Sequence, residues 1–138
     1  AVNQAKDDGA TPLYIACQEG RVEVAQLLLE AGAAMDQAEE NGVTPLYIAC
    51  QNGHLDIARL LLEAGAAVNQ AKQDGATPLF IASLNGHLEC VRLLLEASTA
   101  VNQAKDGGAT PLLVACQKGH LEVARLLLET GAAINQAM

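Results

Sequence analysis

TPLYIACQNGH, residues 44–54, decides how this chain folds, because it is written four times. TPLYIACQEGR stands at 11–21, TPLFIASLNGH at 77–87 and TPLLVACQKGH at 110–120. The threonines fall at 11, 44, 77 and 110, a constant step of 33. Thr44 followed by Pro45 reads as an N-cap and a proline at the first helical position, where its missing N–H costs nothing. A short helix over PLYIACQN then runs to Gly53, which can take the left-handed conformation that stops it. A second helix is expected from about His54 through LDIARLLLEA to Gly65. Along it Asp56, Arg59 and Glu63 make a polar face, and Ile57, Ala58, Leu61 and Leu62 a buried one. AAVNQAKQDGA, rich in Asn, Asp and Gly, reads as a turn-rich hairpin leading to the next Thr-Pro.

On this step the chain divides into units 4–36, 37–69, 70–102 and 103–135, with 1–3 and 136–138 as partial flanking units, and 1–138 reads as one domain. Two short helices cannot bury both faces alone, whereas stacked units can. Repetition is how this sequence makes a core. Its apolar residues, 51% of the total, are mostly Ala and Leu, with one Phe, two Tyr and no Trp. That composition favours close helix–helix packing over a sheet.

Eight bases against sixteen acids give a formal charge of −8. A duplex nucleic-acid binder needs a basic footprint, and an anionic membrane surface attracts one too, so neither partner is expected. No apolar run approaches the ~18–20 residues of a membrane span, and AVNQAKDDG lacks signal-peptide character. Cys17, Cys50 and Cys116 share one repeat position, which Ser83 fills in the remaining unit, and Cys90 stands elsewhere. Neither a zinc ribbon nor a disulfide framework has that spacing. Small buried thiols in a reducing, intracellular and cytoplasmic setting are expected instead.

The period of 33 with T-P-L-x-x-A, then G-H-L-E, then L-L-L-E-x-G-A resembles the ankyrin repeat, over essentially the whole chain. The resemblance implies an all-α solenoid of stacked helix-turn-helix units, with short β-hairpin loops projecting at one edge. It also implies a concave groove, formed by hairpins and first helices, that binds other proteins. Two departures stand out. Tyr14, Tyr47, Phe80 and Leu113 occupy the slot after T-P-L where the family usually has His. In unit three Ser98-Thr99 replaces Gly-Ala, which predicts a soft end to that second helix at a cost of roughly 1 kcal/mol.

Little in the sequence points to catalysis. His54, His87 and His120 recur at one slot, spread along the stack rather than converging on a metal or a reacting atom, and read as helix-start residues bonding local backbone. Asp56–Arg59, Glu89–Arg92 and Glu122–Arg125 at i, i+3 read as surface pairs. Asn69, Asn102 and Asn135 are expected to bond within their own hairpin turns. Phosphate-loop, nucleophile-elbow and zinc-helix motifs are missing. No enzyme activity, metal or cofactor is expected.

Positions that differ among near-identical units carry the information for recognition. At the hairpin tips these are Asp7, Asp8, Glu39, Glu40, Asn41, Gln73, Asp74 and Asp106. On the first helices they are Tyr47, Gln51, Asn52, Phe80, Leu84, Asn85, Gln117 and Lys118. The family resemblance places these slots along the groove. Leu84, where the siblings have Gln18, Gln51 and Gln117, reads as an apolar anchor beside Phe80, whose ring is expected to be largely core. Residues 4–69 hold ten acids and three bases, net −7, and 70–135 six acids and five bases, net −1. An acidic rim at Asp7, Asp8, Glu39 and Glu40 would attract a basic stretch of a protein or peptide. The reading is therefore a non-catalytic protein-binding module, with a structural spacer of a longer array or a consensus-like scaffold as the alternative. A monomer is expected when dilute, with end-to-end association through apolar end faces at high concentration.

Overall fold

The computed structural model describes residues 1–97 and 99–131. Ser98 and Asn135 lie outside the described residues, as do the rest of 132–138. Eight helices follow one another: α1 Pro12–Glu19, α2 Val22–Glu30, α3 Pro45–Gln51, α4 Leu55–Glu63, α5 Pro78–Asn85, α6 Leu88–Glu96, α7 Pro111–Lys118 and α8 Leu121–Glu129. Each odd helix packs on its even partner, α1 on α3 on α5 on α7 in one layer and α2 on α4 on α6 on α8 in the other. The fold is an all-α repeat solenoid.

The local signals act where the sequence puts them. Thr11, Thr44, Thr77 and Thr110 each accept, through Oγ1, the N–H three residues on, at 3.1–3.3 Å. Proline follows each cap at the first helical position. Gly20, Gly53, Gly86 and Gly119 end the first helices with φ between 72° and 74°. Leu13, Leu46 and Leu79 from the first helices and Ile57, Leu61 and Leu94 from the second are fully buried between the layers. Leu62, expected on the buried face, is only half-buried.

Between the helix pairs the chain turns without forming a strand among the described residues, where β-hairpins were expected. Each turn is closed by short bonds, as from the Lys6 N–H to the Ala10 carbonyl, 3.0 Å, with the Gly9 N–H on the Lys6 carbonyl, 2.9 Å, and from the Lys72 N–H to the Ala76 carbonyl, 3.0 Å, with the Gly75 N–H on the Lys72 carbonyl, 2.9 Å. The next backbone donor leaves its own loop. Glu40 N–H reaches the Asp8 carbonyl at 2.8 Å, Gln73 N–H that of Asn41 at 3.0 Å, and Asp106 N–H that of Asp74 at 2.6 Å. Hydrogen bonds that would extend a hairpin ladder instead join loop to loop along the stack.

Two expectations of local bonding are corrected in the same sense. The imidazole Nε2 atoms of His54, His87 and His120 lie 3.2, 3.1 and 3.0 Å from the carbonyls of Gln18, Gln51 and Leu84, one unit earlier. At unit ends, Asn3, Asp36 and Asn69 accept through Oδ1 from the N–H groups of Ala34, Ala67 and Ala100, one unit later, at 2.8–3.0 Å. A first helix ends in carbonyls that nothing in its own helix satisfies, so the next unit supplies the donor. The ties are therefore between units, not within them. In unit three Thr99 donates to the Leu94 carbonyl at 2.6 Å, satisfying an acceptor at the end of α6.

A candidate protein-binding edge

The predicted site residues separate into three groups. Tyr47 and Phe80 are buried, 3% and 4% exposed, so they support the edge from beneath. Above them lie two side chains that the sequence did not single out. Lys72 Nζ sits 6.0 Å from the centre of the Tyr47 ring, and Lys105 Nζ 6.0 Å from that of Phe80. Their signal was in the sequence, as the column Lys6, Glu39, Lys72, Lys105 at one step of 33. Burial pushes the Tyr47 hydroxyl up to about 12, with Asp74 adding to the effect. Tyr14 is raised for the same reason, with Glu39 and Asp8 assisting.

The second group holds the molecule together. Asp8 and Asp74 each accept through Oδ1 from the N–H two residues on, Ala10 and Ala76, at 3.0 Å. Those bonds close the turn, and the Ala10 bond holds the Asp8 carboxyl below the usual carboxylate range, with Lys6 adding to it. In unit two Glu39 does this work instead, its Oε1 taking the N–H groups of Asn41 and Val43 at 2.7 and 2.9 Å. Asn52 and Asn85 donate to the carbonyls of Gln18 and Gln51, at 3.1 and 2.9 Å, beside the histidines. Gln73 donates through Nε2 to the Glu40 carbonyl at 2.8 Å. The Asn41 side chain donates to Glu39 Oε2 at 3.4 Å.

What remains is presented outward. Asp7, Glu40 and Asp106 are exposed at equivalent loop positions, a column of acids in which Gln73 stands for the third unit. Gln51 and Leu84 are half-buried on the first helices, and Gln117 and Lys118 are exposed at the end of α7. The acids lie along loop tips and the rest along helix ends, so the structure does not draw them into an enclosed pocket.

Other titratable groups are spread out. Asp56–Arg59, Glu89–Arg92 and Glu122–Arg125 pair at 3.6, 3.7 and 3.0 Å on the outer face, as the i, i+3 spacing predicts. Cys17 and Cys50 are buried as expected, and burial raises the Cys17 thiol to about 12. Cys50 is raised well above the ordinary thiol range by its hydrogen bond to Cys90 and by burial. Cys116 departs from the expectation of burial: it is exposed, because none of the described residues packs over the face of α7 as α5 packs over α3. Among the described residues no group of His, Cys, Asp and Glu could hold a metal ion, and no helix is long and apolar enough to cross a membrane.

Four stacked helix pairs, capped by Thr-Pro and tied unit to unit through histidine and asparagine, define a helix-turn-helix repeat protein. The family model for ankyrin repeats (3 copies) matches residues 1–72 and 65–138, and the chain belongs to the ankyrin-repeat family. No curated protein matches the chain. Ankyrin repeats are generally protein–protein interaction modules and are typically non-catalytic.

Proposed function

We propose that the chain is one ankyrin stack of units 4–36, 37–69, 70–102 and 103–135. It binds a protein or peptide along the edge bearing Asp7, Glu40, Gln51, Leu84, Asp106 and Gln117. The partner segment carries a basic stretch for the acidic loop column and one apolar residue for Leu84. The observation that carries this reading is the sorting of the carboxylates. Asp8, Glu39 and Asp74 are engaged by backbone N–H groups, whereas Asp7, Glu40 and Asp106 stand exposed at one loop position. Their charge is available to steer a cationic segment, which acts on association rate more than on affinity. Two copies of the chain also associate end to end when concentrated, and the dilute chain is a monomer in a cytoplasmic setting.

Peptide-display selection on the parent, beside an Asp7→Lys, Glu40→Lys, Leu84→Gln variant, tests the proposal. These three side chains are exposed or half-buried, so the variant keeps the fold, which circular dichroism verifies. Enrichment of basic peptides with an apolar residue on the parent alone is expected. Equal enrichment on both would remove the edge from consideration. One observation favours a second reading, a structural spacer: Asn52, Asn85 and Gln73 sit on the same edge and are already engaged in bonds between units. No enrichment on either chain would leave that reading standing.

A further inference from the structure

We infer that Asn41 is a self-modification site: the Gly42 nitrogen attacks its side-chain amide, and the aspartate product takes over closure of the unit-two turn. The reaction needs no partner, so it stands independently of the binding proposed above, although it acts on the same edge. Three asparagines are followed by glycine, in Asn41-Gly42, Asn52-Gly53 and Asn85-Gly86. Glycine leaves its nitrogen the least hindered of any successor, because no side chain shields the approach to the amide carbon. The nitrogen bonds to Cγ, the Cγ–Nδ2 bond breaks, and Nδ2 departs as ammonia with the proton that the glycine nitrogen gives up. Water then opens the cyclic imide at one carbonyl or the other, giving aspartate or isoaspartate. No electrons are exchanged, and water is the only co-reactant.

All three side chains are exposed, so the choice among them lies in what each must break to react. Asn52 and Asn85 donate through Nδ2 to the carbonyls of Gln18 and Gln51, one unit earlier, at 3.1 and 2.9 Å. Their backbones belong to helix ends. Asn52 stands at φ −92°, ψ 1° with its N–H on the Ile48 carbonyl, and Asn85 is the last residue of α5. The following glycines lie under imidazoles, a Cβ on Gly53 coming within 2.8 Å of His87 and one on Gly86 within 2.7 Å of His120. Bringing the glycine nitrogen onto Cγ there opens a helix end and a tie between units together. At Asn41 the Nδ2 bond is long, 3.4 Å, and stays within the loop, to Glu39 Oε2. Two backbone bonds oppose reaction, from the Gly42 N–H to the Glu39 carbonyl at 2.9 Å and from the Gln73 N–H to the Asn41 carbonyl at 3.0 Å. Both belong to a loop tip, the class of segment that opens at the lowest cost.

The slot says what the product does. Asn41 stands where units one and three carry Asp8 and Asp74, each of which closes its turn on the N–H two residues on. In unit two the N–H of Val43 goes to Glu39 instead, at 2.9 Å, since a carboxylate is a stronger acceptor than the amide oxygen of Asn41. Conversion to aspartate gives unit two the carboxylate its siblings use, beside a Glu39 that stands where they have Lys6 and Lys72. Two carboxylates that close repel each other, so the new one takes Val43 and Glu39 turns outward. Either product adds one negative charge to a chain of formal charge −8, at the acidic loop column.

Peptide mapping by mass spectrometry, on the chain aged in mildly alkaline buffer, tests the choice of site. In the folded chain position 41 should convert at least roughly tenfold faster than positions 52 and 85, which react only through costlier openings. In urea the three should convert at comparable rates. Equal rates in the folded chain, faster conversion at 52 or 85, or no conversion at 41 while the unfolded chain reacts would overturn the assignment. Thermal melts test the hand-over separately, with Glu39→Ala made in the parent and in an Asn41→Asp chain. The substitution should lower the melting temperature by a few degrees in the parent and leave it within about one degree in the Asn41→Asp chain. An equal fall in both would show that Glu39 keeps the turn, and would overturn the hand-over.

Discussion

Ser83 is the residue at which the repeat departs from its own logic. Its Oγ is buried and finds no hydrogen-bond partner among the described residues, at the slot where its siblings carry the thiols of Cys17 and Cys50 in fully buried positions. A buried hydroxyl left unpaired costs on the order of 1–3 kcal/mol, and a thiol loses far less on leaving water. Ser83→Cys should therefore stabilise the chain by about 1 kcal/mol in urea unfolding; a loss of stability would mean that the site cannot admit sulfur. Tyrosine provides a second test, since Tyr14 and Tyr47 are the two in the chain. Burial favours the neutral phenol in the folded state, raising Tyr47 from 10.0 to about 12. The stability this gives is present below pH 10 and is lost as pH rises through about 12. Tyrosinate absorbance should accordingly develop late in the folded chain and near pH 10 in urea, and coincident titrations would place Tyr47 in solvent.

At the scale of the element, the helix-ending glycines separate two effects that one substitution would blur. Gly53 and Gly119 share φ values of 72° and 74°, so alanine at either meets the same left-handed penalty of about 1 kcal/mol. Only at Gly53 does a Cβ also meet an imidazole, His87 at 2.8 Å. Gly53→Ala should then cost at least about 1 kcal/mol more than Gly119→Ala, because the histidine must give up its position and its carbonyl bond. Equal costs would show that the histidine tie contributes nothing. The two parts of this comparison were not equally legible in the sequence. Thr-Pro and Gly act on their own few residues, so the helices could be placed from residues 44–65 alone. The histidines and asparagines act across about 31–36 residues, and a unit read in isolation assigns them to local backbone.

For the molecule as a whole, the stack was legible in the period of 33, and the proposed binding edge only in part. Sequence comparison among the units found Leu84 and the acidic tips. It could not tell Glu39, whose carboxylate closes a turn, from Glu40, whose carboxylate is exposed, since both are acids at adjacent tip positions. Nor could it show that Tyr47 and Phe80 lie under Lys72 and Lys105. That difference matters for mutation: Glu39→Ala removes two bonds to backbone and should lower stability by about 1–2 kcal/mol, whereas Glu40→Ala should leave it within roughly 0.5 kcal/mol, as thermal melts of the two would show. Recognition through the edge, with Leu84 as its apolar anchor, is the central claim. Its most direct test is Leu84→Gln, with affinity for a selected basic–apolar peptide and melting temperature measured on the same preparation. The account predicts an affinity loss of about tenfold, as for a moderate anchor residue, at a nearly unchanged melting temperature. A sharp fall in melting temperature with affinity retained would make Leu84 part of the core and contradict it.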